Sequence, residues 1–244
     1  MANILIVTSG KGGTGKTTVS LLVARALCRH GKNVLLLELD SGLRGLDLLL
    51  GVSDKVVYDV SDVLLGRCKP VKAITVCDVP SGNLHYIAAA ADRHFIPDEK
   101  NLTLLLKGLS GCYDYLILDT AAGLGKGFDT AAQVATSALI VTTVDPVSVR
   151  DAAGAARELR NLSPRLVINK FGRKNLSADI SDLDIVIDRV GAQLIAVMPE
   201  DAAISQYVAK GEIPAAISPA FKEADDLARR LMGQRVFLNP ERLK

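Results

Sequence analysis

Residues Gly10 to Thr18 read GKGGTGKTT and follow directly on the apolar run Ile4-Leu5-Ile6-Val7. The spacing GxxxxGK[ST], with Gly10, Gly15, Lys16 and Thr17 in its fixed positions, constrains the chain strongly, because it demands a strand before it and a helix after it. Its glycines let backbone N–H groups turn inward around a polyphosphate. Lys16 is placed to reach β and γ phosphates, and the Thr17 hydroxyl to ligate Mg²⁺. Gly10, Lys11, Gly12, Gly13, Thr14, Gly15, Lys16, Thr17 and Thr18 are therefore the candidate phosphate cradle. The helix is legible as well: Val19, Leu22, Val23, Ala26, Leu27 and His30 fall on one stripe. A ligand-free turn accounts for one or two glycines, but not for Lys11 and Lys16 together.

Apolar runs of strand length recur at Ile4–Val7, Val34–Leu37, Leu84–Ala88, Tyr115–Leu118, Ala138–Val141, Leu166–Ile168 and Leu194–Val197. They are nearly continuous rather than alternating, as strands buried on both faces of a parallel sheet are. Helical patterns at Thr17–His30, Asn101–Leu109, Phe128–Ala135, Val149–Leu162, Leu183–Val190 and Ala203–Lys210 separate most of them. This alternation predicts an α/β fold, a doubly wound, mostly parallel sheet with helices on both faces. With 244 residues, 49% of them hydrophobic, the chain suffices for one full-sized core. No linker, repeat or low-complexity stretch interrupts it, so residues 1–244 are expected to form one domain.

Ligands of such sheets sit at the carboxyl ends of the strands, which directs attention to the loops that follow them. The second strand leads into Glu38-Leu39-Asp40-Ser41-Gly42-Leu43-Arg44-Gly45-Leu46-Asp47. A carboxylate at Asp40 can hold or orient water near Mg²⁺ and a γ phosphate; a solvated turn is the alternative, since Asp and Gly are ordinary turn residues. The strand Tyr115–Leu118 ends in Asp119-Thr120-Ala121-Ala122-Gly123-Leu124-Gly125. An apolar strand ending in Asp fits a carboxylate that supports Mg²⁺ directly or through water, and Gly123 and Gly125 leave that loop free to move. Asn169-Lys170 and Pro199-Glu200-Asp201 follow later strands and should reach the same edge of the sheet, where a base would lie. Asn169 offers donor and acceptor to an adenine edge. Either pair equally suits a helix start, with Asp201 as N-cap.

Lys and Arg number 29 against 27 Asp and Glu, which leaves no global field to recruit nucleic acid. With 4% aromatics and no Trp, stacking platforms for single strands are not expected. Cys28, Cys68, Cys77 and Cys112 form no CxxC pair and read as small hydrophobes in a reducing compartment. His30, His85 and His94 suggest neither a triad nor a metal cage. No charged and apolar leader opens the chain, and no apolar run reaches the roughly 18–20 residues that span a bilayer, so a cytoplasmic protein is expected.

The phosphate loop with its additional Lys11 resembles the deviant Walker-A motif of the MinD/ParA ATPases. GLRGLDLLLG after Asp40 is similar to the MinD branch, as are DTAAGLGKGF, DPVSVRDA, and MPED followed by Gly211-Glu212-Ile213-Pro214. The resemblance runs over nearly the whole chain. It implies a switch ATPase that binds ATP or ADP with Mg²⁺, pairs face to face in its ATP form and separates after hydrolysis. By resemblance, Lys16 holds the β and γ phosphates of its own nucleotide, and Lys11 reaches the partner's. Asp40 orients the attacking water, and Thr17, Asp40 and Asp119 make up the Mg²⁺ shell. Two lysines in one loop repel each other unless several phosphate charges neutralise both, which two subunits sharing two nucleotides would provide. The implied role is spatial regulation of cell division, with a protein activator or cargo, and with the inner face of the membrane as a possible surface. A partition ATPase on non-specific DNA and a flagellar-number regulator are the alternatives. Relatives resembling the nitrogenase iron protein need cysteines in other loops, and tyrosine-kinase relatives need a tyrosine-rich tail.

The chain departs from the family at two places. Glu38 stands where Asp is usual, so a shared water-orienting role is not expected there. At the C-terminus, MinD proteins are similar in ending on a basic amphipathic helix that binds membrane. Here Phe221, Ala224, Leu227, Ala228 and Leu231 form a stripe that reads as core packing, while Arg229, Arg230 and Arg235 read as a solvated face. Only Val236-Phe237-Leu238 precede Asn239-Pro240, and proline stops a helix there.

Overall fold

The computed structural model describes residues 2–42, 44–79, 81–172, 180–204, 206 and 218–239. Its centre is an eight-stranded sheet in the order β3-β4-β2-β5-β1-β6-β7-β8. β1 (Asn3–Thr8) lies between β5 (Tyr115–Asp119) and β6 (Ser137–Thr142), parallel to both. β2 (Asn33–Glu38) and β4 (Asn83–Ile87) extend the sheet on one side, and β7 (Arg165–Phe171) and β8 (Gln193–Pro199) on the other, all parallel. β3 (Thr75–Cys77) pairs antiparallel to β4 at the edge.

The strands alternate between two cores because successive side chains point to opposite faces. Ile6, Leu35, Leu37, Leu116 and Leu118 face one cluster; Leu5, Val7, Val34, Leu36 and Ile117 face the other. The first cluster is closed by α3 (Val60–Leu64), α5 (Glu99–Leu109), α6 (Lys126–Val134), α7 (Pro146–Glu158) and α8 (Ile180–Val190). The second is closed by α1 (Lys16–Arg29), α2 (Leu46–Leu50) and α9 (Pro219–Leu231). The doubly wound architecture expected from the alternating runs is the one observed.

Several boundaries differ from expectation for identifiable reasons. β3 is a short edge strand with Val76 exposed, too brief to register as an apolar run. α7 starts at Pro146 rather than Val149, because Asp145 caps it by accepting from the Ser148 N–H at 2.9 Å. It ends at Glu158, and residues 160–162 form a separate 3₁₀ turn. α4 (Pro70–Ala73) is likewise too short for periodicity to reveal. Of the helix expected at Ala203–Lys210, residues 203, 204 and 206 are helical, with residue 202 added before them; the remainder lies outside the described residues, as do Gly211–Pro214.

The C-terminal helix packs as its stripe foretells: Phe221, Ala224, Leu227 and Ala228 are buried in the second core. Arg230 is not on a solvated face, which corrects that expectation. Its guanidinium binds Glu223 Oε1 at 2.7 Å and the carbonyls of Ile195, Val236 and Phe237, fastening residues 236–237 beneath β8. A seven-residue spacing placed both charges on one side of α9, which is the signal a helical reading offers for this pair.

Candidate functional site

β1 ends at Thr8, and the chain turns through Gly10–Gly15 into α1, which opens on Lys16 and Thr17. Gly13 (φ 82°) and Gly15 (φ 88°) adopt left-handed backbone that suits glycine. Gly10 is demanded by a close approach instead: a Cβ there would lie 2.2 Å from the backbone carbon of Asp151 in α7. At Gly12 no atom lies within 4 Å of such a Cβ. Gly10→Ala is therefore expected to lower stability by about 1–3 kcal/mol, and Gly12→Ala to stay within about 0.5 kcal/mol. Urea unfolding of both variants measures the contrast; equal losses would refute the close approach.

The end of β7 braces the loop from its other side. Asn169 Nδ2 donates to the Thr14 carbonyl at 2.8 Å, and Lys170 Nζ to the Gly13 carbonyl at 2.7 Å. Asn169 thus spends an amide N–H on the cradle, and it also lines a cavity of about 360 Å³ with Thr18, Met198, Pro199, Glu200 and Asp201. That is within the range of small-ligand pockets. Asp201 also acts as the helix-start residue its position suggested, accepting from the N–H groups of Ala203 (2.9 Å) and Ala220 (3.1 Å). Glu200 is exposed.

Beneath the cradle, Lys16, Thr17 and Asp119 converge. Lys16 Nζ is 3.0 Å from Asp119 Oδ1, and the Thr17 hydroxyl donates to Asp119 Oδ2 at 2.9 Å. Strand register delivers the carboxylate, because Asp119 pairs with Val7 of β1 and Glu38 of β2 at the level where those strands end. Asp119 is fully buried and Lys16 nearly so. A further partner was missed in the sequence: the Ser20 hydroxyl donates to Asp119 Oδ1 at 2.8 Å. The signal was its place one helical turn beyond Thr17.

Asp40 follows β2 and is half-buried. Burial raises its carboxyl above the ordinary range, Lys16 opposes the shift and Asp119 adds to it, which places Asp40 within electrostatic reach of the cluster. Glu38, one turn of strand earlier, is buried and fully engaged. It accepts from the N–H groups of Gly45 (2.9 Å) and Leu46 (3.3 Å) and from the Tyr86 hydroxyl. Burial raises its carboxyl as well, against those hydrogen bonds. Glu38 therefore holds the start of α2. Lys11, half-exposed, lies 3.3 Å from Asp145 Oδ1.

Among the described residues, no group of His, Cys, Asp and Glu side chains forms a protein-only metal cage. The hydroxyl of Thr17 beside the carboxylate of Asp119 fits a hard cation that takes its remaining ligands from water and phosphate, as Mg²⁺ does. A glycine cradle opening a helix, a buried lysine and that oxygen pair define a P-loop nucleotide-binding protein.

The chain belongs to the family described as the CobQ/CobB/MinD/ParA nucleotide binding domain, whose model matches residues 5–215. Its relatives place it in the MinD branch. It is 34% identical to the septum site-determining protein MinD of Bacillus subtilis, over 97% of this chain and 91% of that one. Its fold matches MinD in the MinC:MinD complex of Aquifex aeolicus with a TM-score of 0.85 and 32% identity, covering 98% of this chain and 99% of that one. It also matches the septum site-determining protein MinD of Pyrococcus horikoshii complexed with Mg-ADP, with a TM-score of 0.81 and 29% identity, covering 95% and 96%.

Proposed function

We propose that this chain is a MinD-like, Mg²⁺-dependent ATPase that hydrolyses ATP to ADP and phosphate, and pairs with a second copy to regulate septum placement. The observation that carries this reading is the convergence of Lys16, Thr17 and Asp119 beneath the Gly10–Thr18 cradle. The continuous eight-stranded sheet supports the whole chain acting as one ATPase domain.

Mg²⁺ bound at Thr17 would withdraw charge from the phosphate oxygens. Lys16 exchanges its bond to Asp119 for the β and γ phosphates, and Asp119 then supports the metal shell. Asp40 orients the attacking water, its raised carboxyl suiting a group that accepts a proton transiently. Residues 199–201 and Asn169 bind the base in the cavity beside α1. Lys11 leaves Asp145 for the partner's nucleotide. The Lys11–Asp145 pair is half-exposed and so is easily released. Lys11→Ala is expected to retain nucleotide affinity and lose ATP-dependent pairing by light scattering; a normal ATP dimer would overturn the cross-subunit role.

A protein partner fits this reading, as MinC accompanies MinD in the Aquifex structure. No helix among the described residues is long and apolar enough to cross a membrane, which fits a cytoplasmic ATPase that visits the membrane peripherally. ATPase rates and ATP-dependent co-sedimentation with anionic liposomes, then with DNA, test the surface. Stimulation by lipid supports septum placement; stimulation by DNA alone would replace it with partition.

A further inference from the structure

The Asp40 side chain makes no hydrogen bond or ion pair among the described residues, so its aim is set by the backbone of the loop that carries it. That loop is fastened to the segment after β4. The Ser41 hydroxyl donates to the Phe95 carbonyl at 2.9 Å, and the Gly42 N–H to the Ala90 carbonyl at 2.9 Å. Gly42, at φ 79°, approaches so closely that a Cβ would lie 2.4 Å from that of Arg93. The strongest fastening is Arg44. Its Nε donates to the Ala89 carbonyl at 2.8 Å and its Nη2 to Asp59 Oδ2 at 2.6 Å.

Asp59 is built to receive it. Oδ1 accepts from the Ser61 hydroxyl (2.6 Å) and the Ser61 N–H (2.8 Å), which start α3, and Oδ2 accepts from the Ala91 N–H at 3.0 Å. Burial works against the charge, but the Ser61 hydroxyl and the N–H groups of Ala91, Ser61 and Asp62 outweigh it and hold the carboxyl below its ordinary range. One ionised carboxylate therefore ties Arg44, residues 89–91 and the start of α3 into a single unit.

We propose that Arg44, clamped between Asp59 and the Ala89 carbonyl, is a positioning residue for hydrolysis: it holds the Asp40 loop at the reach its carboxylate needs toward the Lys16–Asp119 cluster. The proposal rests on the reading of Asp40 as the water-orienting group. Arg44 acts on the rate of the chemical step and not on nucleotide affinity, because its hydrogen-bond partners among the described residues, Ala89 and Asp59, anchor the Asp40 loop and neither belongs to the phosphate cradle. A misplacement of about 1 Å at a reacting group costs up to roughly a hundredfold in rate.

Steady-state ATPase kinetics on the full chain test this with Arg44→Ala, Arg44→Lys, Asp59→Asn, the Arg44→Ala/Asp59→Asn double variant and Asp40→Ala, each checked for folding by thermal melting. The expected result is a kcat at least about tenfold lower in Arg44→Ala, with KM for ATP within about twofold. Arg44→Lys, which keeps the charge but not the two-directional fork, should recover part of the loss. The double variant should be no slower than the slower single one, since the two residues form one clamp. A kcat within twofold of the parent in folded Arg44→Ala, or losses that multiply in the double variant, would overturn the clamp while leaving the nucleotide site intact. A normal rate in Asp40→Ala would instead remove the reading on which the clamp rests.

Discussion

Lys16→Ala is expected to abolish nucleotide binding under conditions where the parent binds. Lys16 is buried at the start of α1 and is the cation beneath the cradle. Hydrogen bonds to charged partners contribute about 1.5–3 kcal/mol each. Losing two, one to each of the β and γ phosphates, weakens binding by roughly 10²–10⁴-fold. The substitution also leaves the Asp119 carboxylate with only the Thr17 and Ser20 hydroxyls as described side-chain donors. Affinity must therefore be read by titration with a fluorescent ATP analogue well below the melting temperature. Affinity within tenfold of the parent would show that Lys16 is not the phosphate ligand.

The second large effect falls on stability. Asp119→Ala removes the carboxylate that faces Lys16 at 3.0 Å in a site where one side chain is fully buried and the other nearly so. Breaking such a pair from one side costs about 3–5 kcal/mol, because the remaining charge is stranded. Lys16 would keep only the Thr17 hydroxyl at 3.3 Å among its recorded partners. Urea unfolding without nucleotide measures the loss. Asp119→Asn separates lost charge from lost volume, since it fills the same space. The Lys16→Ala/Asp119→Ala double variant should recover part of the stability by removing both charges. A loss below about 1 kcal/mol in Asp119→Ala would mean that the pair is not what holds the three strand ends together.

Both variants address residues that are legible in the sequence itself. Lys16 and Thr17 stand in a motif whose spacing carries its mechanism, and Asp119 ends an apolar run where a parallel sheet presents its ligands. Ser20 carried only a faint signal, its place one helical turn beyond Thr17, and it matters once β5 lies alongside. Arg44 and Asp59 are fifteen residues apart and belong to different loops, so nothing local marks them as partners. Asn169 follows an apolar strand and so is expected at the sheet's carboxyl edge, but its bond to the Thr14 carbonyl depends on how β7 meets the cradle.

Glu38 draws the same boundary. Its sequence position marked it as unlike the usual family residue, yet only the packing of Tyr86 and the turn at Gly45 reveals that its oxygens are already taken. Arg230 reads as a surface charge by helical pattern but is a largely covered fastener of residues 236–237, because pattern records spacing along one helix and not what the neighbouring strand brings against it. Period, motif and turn chemistry were enough for the architecture and the phosphate cradle, since each acts over a few residues of chain. The charge pairings, the close approach at Gly10 and the anchoring of the Asp40 loop arise between segments distant in sequence, and they are decided where the two cores close on the sheet.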